Sequence, residues 1–196
     1  MEINPPKNRA KYYQKKINLF SQNGAFPLVN VRPICYNEPM KNTKNMNAKP
    51  TIYFDLDGTL YPLYDQPRWL DRITVDFDAT VYDSDDTLVD LVALRGALDT
   101  AISDGYRVGV ISWLAGGSPK WYDRAVRIVK RAWVKRNLPQ ATEIHIVKHG
   151  TPKHLVANDR SGIIFDDDAK VRASWKGLAI DPADGIMSDL HAILHT

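Results

Sequence analysis

The most constraining stretch of the chain is Thr51-Ile52-Tyr53-Phe54 followed by Asp55-Leu56-Asp57-Gly58. Four β-branched or aromatic residues in a row read as a short strand buried on both faces, and the aspartates and glycine after them read as the turn that ends it. Carboxylates at i and i+2 leaving a strand can point to the same side. Two such anions repel unless a cation or a proton lies between them. The pair is costly as structure alone, so it singles out a site.

Four further runs repeat the pattern of an apolar strand ending in a polar turn. They are Arg107 to Trp113, Glu143 to Val147, Gly162 to Phe165 and the weaker Gly177 to Ile180. Helical spacing lies between them. Thr87 to Ser103 carries Leu88, Leu91, Leu94, Leu98 and Ile102 ahead of Gly105. Ser118-Pro119 predicts a capped helix start, with the helix running to about Asn137 before Leu138-Pro139. Lys153 to Asn158 predicts a short helix, and Ala183 to His195 a final amphipathic one. Strands alternating with helices predict an α/β domain, a three-layer Rossmann-like fold with a mainly parallel five-stranded sheet. Residues 61–86 break the rhythm and read as a small cap inserted after the first strand. Tyr61, Tyr64, Trp69 and Phe77 are expected to form that insertion's own core.

Charge divides the chain of 196 residues unevenly. Residues 1–50 hold nine Lys/Arg against two Glu, a net +7, while residues 51–196 net −4. The overall +3 is therefore weak evidence for nucleic-acid binding by the main domain. The leader is rich in Asn, Lys and Pro, lacks sustained apolar periodicity, and is expected to be a disordered basic tail. Met40 and Met46 are alternative starts. No apolar run approaches the roughly 20 residues that span a bilayer, and Met1 to Lys16 does not read as a secretory signal. A single cysteine, Cys35, excludes an internal disulfide and a multi-thiolate zinc site, and fits a reducing, cytoplasmic setting.

Ligands of open α/β sheets sit at the carboxyl ends of the strands. Reading those ends in order gives Asp55 and Asp57, then Ser112, then Lys148 or Lys153, then Asp166, Asp167 and Asp168. Asp168 reads as the cap of the following turn. The helix from Lys120 to Arg136, with Lys130 among its seven basic residues, reads as a solvated basic face opposite Tyr122, Val126, Val129 and Trp133. His149 and His154 lie near the charged edge.

Asp55-Leu56-Asp57-Gly58-Thr59-Leu60 resembles the first motif of the haloacid dehalogenase-like phosphatase superfamily, and loosely its 5′-nucleotidase-type members. Ser112, the lysine and Asp166-Asp167 follow in the order of that family's later motifs. The resemblance covers about residues 51–181. It implies a phosphatase in which Asp55 is the nucleophile and Asp57 the general acid and base. Ser112 and Trp113 would bind phosphate, and Lys153, with Lys148 as the alternative, would neutralise it. Magnesium would be held by Asp55, Asp57 and Asp167, with Asp166 in support. The implied substrate is a small phosphate monoester, nucleotides included, with nucleic-acid ends ranked second. A non-catalytic metal-binding module on the same fold, and a phosphotransferase, are the competing readings.

Overall fold

The computed structural model describes residues 49–195. The expected leader therefore lies almost wholly outside the described residues. Five strands, β1 (Thr51–Phe54), β2 (Arg107–Trp113), β3 (Glu143–Val147), β4 (Ile163–Phe165) and β5 (Leu178–Ile180), form one sheet in the order β3-β2-β1-β4-β5. Every pairing is parallel. This is the α/β, Rossmann-like arrangement expected from the alternation of elements. The chain winds outward from β1 to β3 and then returns to the other side of β1. The strand order thus reverses at β1 and β4, where a crevice opens at the carboxyl ends.

The short strands hold because their residues are apolar on both faces. All four residues of β1 and all three of β4 are buried. Phe54 stacks on Phe165 across the switch point, with ring centroids 5.1 Å apart. Below it, Tyr53, Ile111, Ile164, Val171 and Trp175 form a core cluster, in which Trp175 meets Tyr53 edge-on and donates its indole N–H to the Gly162 carbonyl.

The helices are α1 (Trp69–Thr74), α2 (Leu91–Ser103), α3 (Lys120–Asn137), α4 (Lys153–Val156), α5 (Ala169–Ser174) and α6 (Ile186–Leu194). Helix α2 starts later than the Thr87 expectation, because Asp90 is its cap and accepts from the Val92 and Ala93 amides. Pro119, not Ser118, precedes α3; the Ser118 hydroxyl instead donates to the Asp123 carboxylate, with the Ala115 carbonyl also within hydrogen-bond distance of its oxygen. Helix α5 was not expected. Asp168 caps it through the Lys170 and Val171 amides, so the cap reading is right and a helix follows where only a turn was foreseen. The last helix is split: Asp181 caps a 3-10 turn over Pro182–Asp184, and Gly185, at φ +108°, separates it from α6.

The insertion after β1 holds two 3-10 turns, Leu63–Asp65 and Ala79–Tyr82, around α1. It is pinned to α3. The Tyr122 hydroxyl donates to the Asp78 carbonyl, the Trp133 indole to the Ser84 carbonyl, and Arg136 pairs with Asp83. Tyr64 packs on Trp69 within the insertion, but Tyr61 packs on Trp133 and Phe77 on Trp121 and Tyr122, so the expected separate core is in part shared with α3. Among the described residues no helix is long and apolar enough to cross a membrane.

Candidate active site

The turn after β1 builds the centre of the site. The Leu56 carbonyl accepts from the Thr59, Leu60 and Tyr61 amides, and the Gly58 amide donates to the Tyr61 carbonyl. This tight wrap needs Gly58 at φ +81°, the left-handed region where a side chain is strained. Space forbids a side chain as well. A Cβ on Gly58 would come within 2.6 Å of the Tyr64 ring and press on the Asp167 carboxylate. Gly58→Ala is expected to destabilise the fold by roughly 1–3 kcal/mol and to weaken stabilisation by added divalent cation. Thermal unfolding with and without the cation measures both effects.

The ends of β1 and β4 are tied together, the Asp55 amide donating to the Phe165 carbonyl at 2.9 Å. Carboxylate oxygens of Asp55, Asp166 and Asp167 consequently lie within 4.8 Å of one another. Asp166 is fully buried. Asp167 is held by Thr59, whose hydroxyl accepts from the Asp167 amide at 3.2 Å and donates to its carboxylate at 3.4 Å.

Lys153, at the start of α4, is the cation of this group. Its ammonium is buried, 2.7 Å from Asp166 Oδ2 and 2.9 Å from Asp55 Oδ1. The contact to Asp55 is a close ion pair without hydrogen-bond alignment, so Asp55 Oδ1 has no aligned donor. Lys153 also lies 5.1 Å over the Trp113 ring. Trp113 in turn is fixed by its indole N–H on the Thr151 carbonyl at 2.8 Å. The Trp113 side chain therefore seats the lysine. Lys148 is exposed. His149 packs against the Trp113 ring at 5.1 Å, and partial desolvation there pushes its imidazole below the usual range.

The Asp57 side chain lies outside the trio, and its carboxylate, expected as the general acid and base, meets a second buried lysine. Lys130, from α3, donates to Asp57 Oδ2, to Ser112 Oγ at 3.0 Å and to the Trp113 carbonyl at 2.6 Å. This corrects the reading of Lys130 as part of a solvated basic face: it is 1% exposed. The buried positions of α3 are Tyr122, Val126, Lys130, Trp133 and Val134. The helical spacing 122, 126, 130, 133 was the signal that could have found it. Asp57 Oδ1 is buried with no hydrogen-bond partner.

Four carboxylates, those of Asp55, Asp57, Asp166 and Asp167, thus face two ammonium groups, Lys130 and Lys153. The deficit is two positive charges. Burial pushes the Asp166 carboxyl up to about 7, with Lys153 opposing and Asp55 reinforcing. Burial, then Asp55 and Asp166, hold Asp167 well above the usual range. Asp57 is raised by burial, with Lys130 pulling against it. Burial disfavours the charged form of Lys153, but Asp166 and Asp55 prevail and its pKa is raised. The all-oxygen donor set and the charge deficit fit a hard divalent cation on Asp55, Asp166 and Asp167.

A pH dependence follows. A carboxyl whose pKa is higher in the folded chain than in the unfolded one binds its proton more tightly when folded. Its stabilisation is complete below the unfolded value near 3.8 and is lost as pH rises through about 7. Without divalent cation, the chain is expected to lose on the order of a few kcal/mol between pH 4 and pH 7. Magnesium should restore stability at pH 7.5 and have little effect near pH 4.5. Thermal unfolding across that range with and without the ion is the test; a flat profile would refute the charge balance.

No family model matches the chain, and no curated protein matches it.

Proposed function

We propose that the chain is a magnesium-dependent phosphatase that hydrolyses phosphate monoesters, nucleotides among them, through an aspartyl phosphate on Asp55. The observation that carries this reading is the setting of Asp55 at the strand switch point. It pairs with Lys153, shares a carboxylate trio with Asp166 and Asp167, and stands two residues from Asp57, which has a buried, unpartnered oxygen.

In the first step an Asp55 carboxylate oxygen bonds to phosphorus while the bond from phosphorus to the ester oxygen breaks. Protonated Asp57 gives its proton to the departing oxygen, and its raised pKa suits it to carry one. In the second step water attacks phosphorus, the bond to Asp55 breaks, and Asp57 takes the water's proton. Ser112, buried at the end of β2, is the hydroxyl that donates to a phosphoryl oxygen on this reading. Lys153 neutralises charge on Asp55 and the phosphate together. A magnesium ion held by Asp55, Asp166 and Asp167 supplies the remaining positive charge. A reducing, cytoplasmic location belongs to the same reading, resting on the lone Cys35.

The test is phosphate release from an aryl phosphate and a panel of alkyl and nucleoside monophosphates. Turnover should require magnesium and cease on chelation. A purified, folded chain that turns over no ester with magnesium would reject the reading.

A further inference from the structure

Lys130 is a second buried ammonium that the two-step chemistry does not itself require. An ammonium has three donors and no acceptor. Here all three are used, on Asp57 Oδ2, Ser112 Oγ and the Trp113 carbonyl, and the ammonium lies 4.5 Å over the Tyr82 ring. Lys130 stands on the apolar stripe of α3 between Val126 and Trp133. A lysine there is a poor device for stability alone, since desolvating an ion pair offsets most of its attraction and apolar packing does as well.

Its contacts have a chemical consequence. Lys130 holds Asp57 at Oδ2, which fixes the orientation of the carboxyl group from which the proton is exchanged. Ser112 Oγ accepts from Lys130, and a hydroxyl has one hydrogen. Among the described residues that hydrogen has no acceptor, so it is free for a phosphoryl oxygen. Both side chains are aimed by one atom, which is fixed in turn to the β2 backbone through Trp113.

We propose that Lys130 is a positioning residue that jointly orients the Asp57 carboxyl group toward the leaving-group oxygen and the Ser112 hydroxyl toward the phosphoryl group. This rests on the phosphatase reading above and adds to it a residue from α3, outside the four strand-end motifs. Misplacing an acid matters most where the departing oxygen needs a proton, so the loss should depend on the leaving group.

The experiment compares the full chain with Lys130→Met and Lys130→Arg on two esters. One is p-nitrophenyl phosphate, whose leaving group departs readily unprotonated; the other is an alkyl phosphate. The quantity compared is kcat/KM, which ends at departure of the ester oxygen; for Lys130→Met it should fall about 100-fold on the alkyl ester and only a few-fold on the aryl ester. Lys130→Arg keeps the charge but cannot set one nitrogen on three acceptors. It should show the same selectivity in milder form, and it decides the matter if the Met variant does not fold. Equal losses on both esters, or a change confined to KM, would overturn the proposal while the phosphatase reading stands. A wild-type chain inactive on both esters would reject that reading, and this role of Lys130 with it.

Discussion

Asp55→Asn is expected to abolish phosphate release, by at least about 1,000-fold, and at the same time to raise the melting temperature of the metal-free chain. The two effects have one origin. An amide cannot form the covalent intermediate, so the first step is lost. The amide is also neutral, and it replaces one of four carboxylates that, among the described residues, face only the ammonium groups of Lys130 and Lys153. Lys153 keeps its contact with Asp166, so no buried cation is left unpaired. Relief of the repulsion on Asp166 and Asp167 should contribute about 1–2 kcal/mol. For a domain of this size that is a rise of roughly 2–8 °C. The rise should shrink when magnesium is present, because the ion stabilises the wild type and has lost a ligand in the variant. Calorimetry with and without the ion, beside an aryl phosphate assay, gives both readings. A lower melting temperature in the absence of metal would mean that the Asp55 charge is a net stabiliser, and the charge deficit would have to be abandoned.

The strand ends were legible because each signal is local. An apolar run ending in Asp, Ser or Lys can be read without knowing the neighbours, and topology alone brings those ends to one edge. Asp55, Ser112, Lys153, Asp166 and Asp167 are all placed there by β1, β2, β4 and the short α4. What was not legible depends on reach across the structure. Lys130 was hidden by its own helix, where six other basic residues made a solvated face the natural reading and only the spacing to Val126 and Trp133 pointed inward. The wrap of Gly58 against Asp167 and Tyr64, with Thr59 and Asp167 108 positions apart, has no local trace. The start of α2 moved for a different reason. Leu88 and Val89 continue the apolar pattern of the helix, but the Leu88 amide bonds to the Leu60 carbonyl, and the Asp90 side chain takes the amides that begin the helix. Periodicity marks which residues a helix buries, and a cap decides where it begins.

Lys153→Met is expected to act in the opposite sense to Asp55→Asn on stability and in the same sense on activity. Methionine matches the lysine stem in length and leaves the charge out. Asp166, fully buried, then loses its only ammonium partner among the described residues, and Asp55 loses its ion pair. Removing one partner of a buried pair costs about 3–5 kcal/mol, on the order of 10 °C in melting temperature. The deficit should depend on pH. Asp166 already binds a proton up to about 7 with Lys153 beside it, because burial disfavours its charge. Without the lysine the carboxyl stays protonated to higher pH, so the variant's deficit is small at pH 5 and grows toward pH 8. Turnover should fall by about 1,000-fold or more if, as proposed, Lys153 neutralises the phosphate. Lys148→Met is the control. Lys148 is exposed, and its loss should change stability by less than about 0.5 kcal/mol and turnover by no more than a few-fold. The reverse pattern, a silent Lys153→Met and an inactive Lys148→Met, would transfer the phosphate-neutralising role to the strand-end lysine and break the link between the buried ion pair and catalysis.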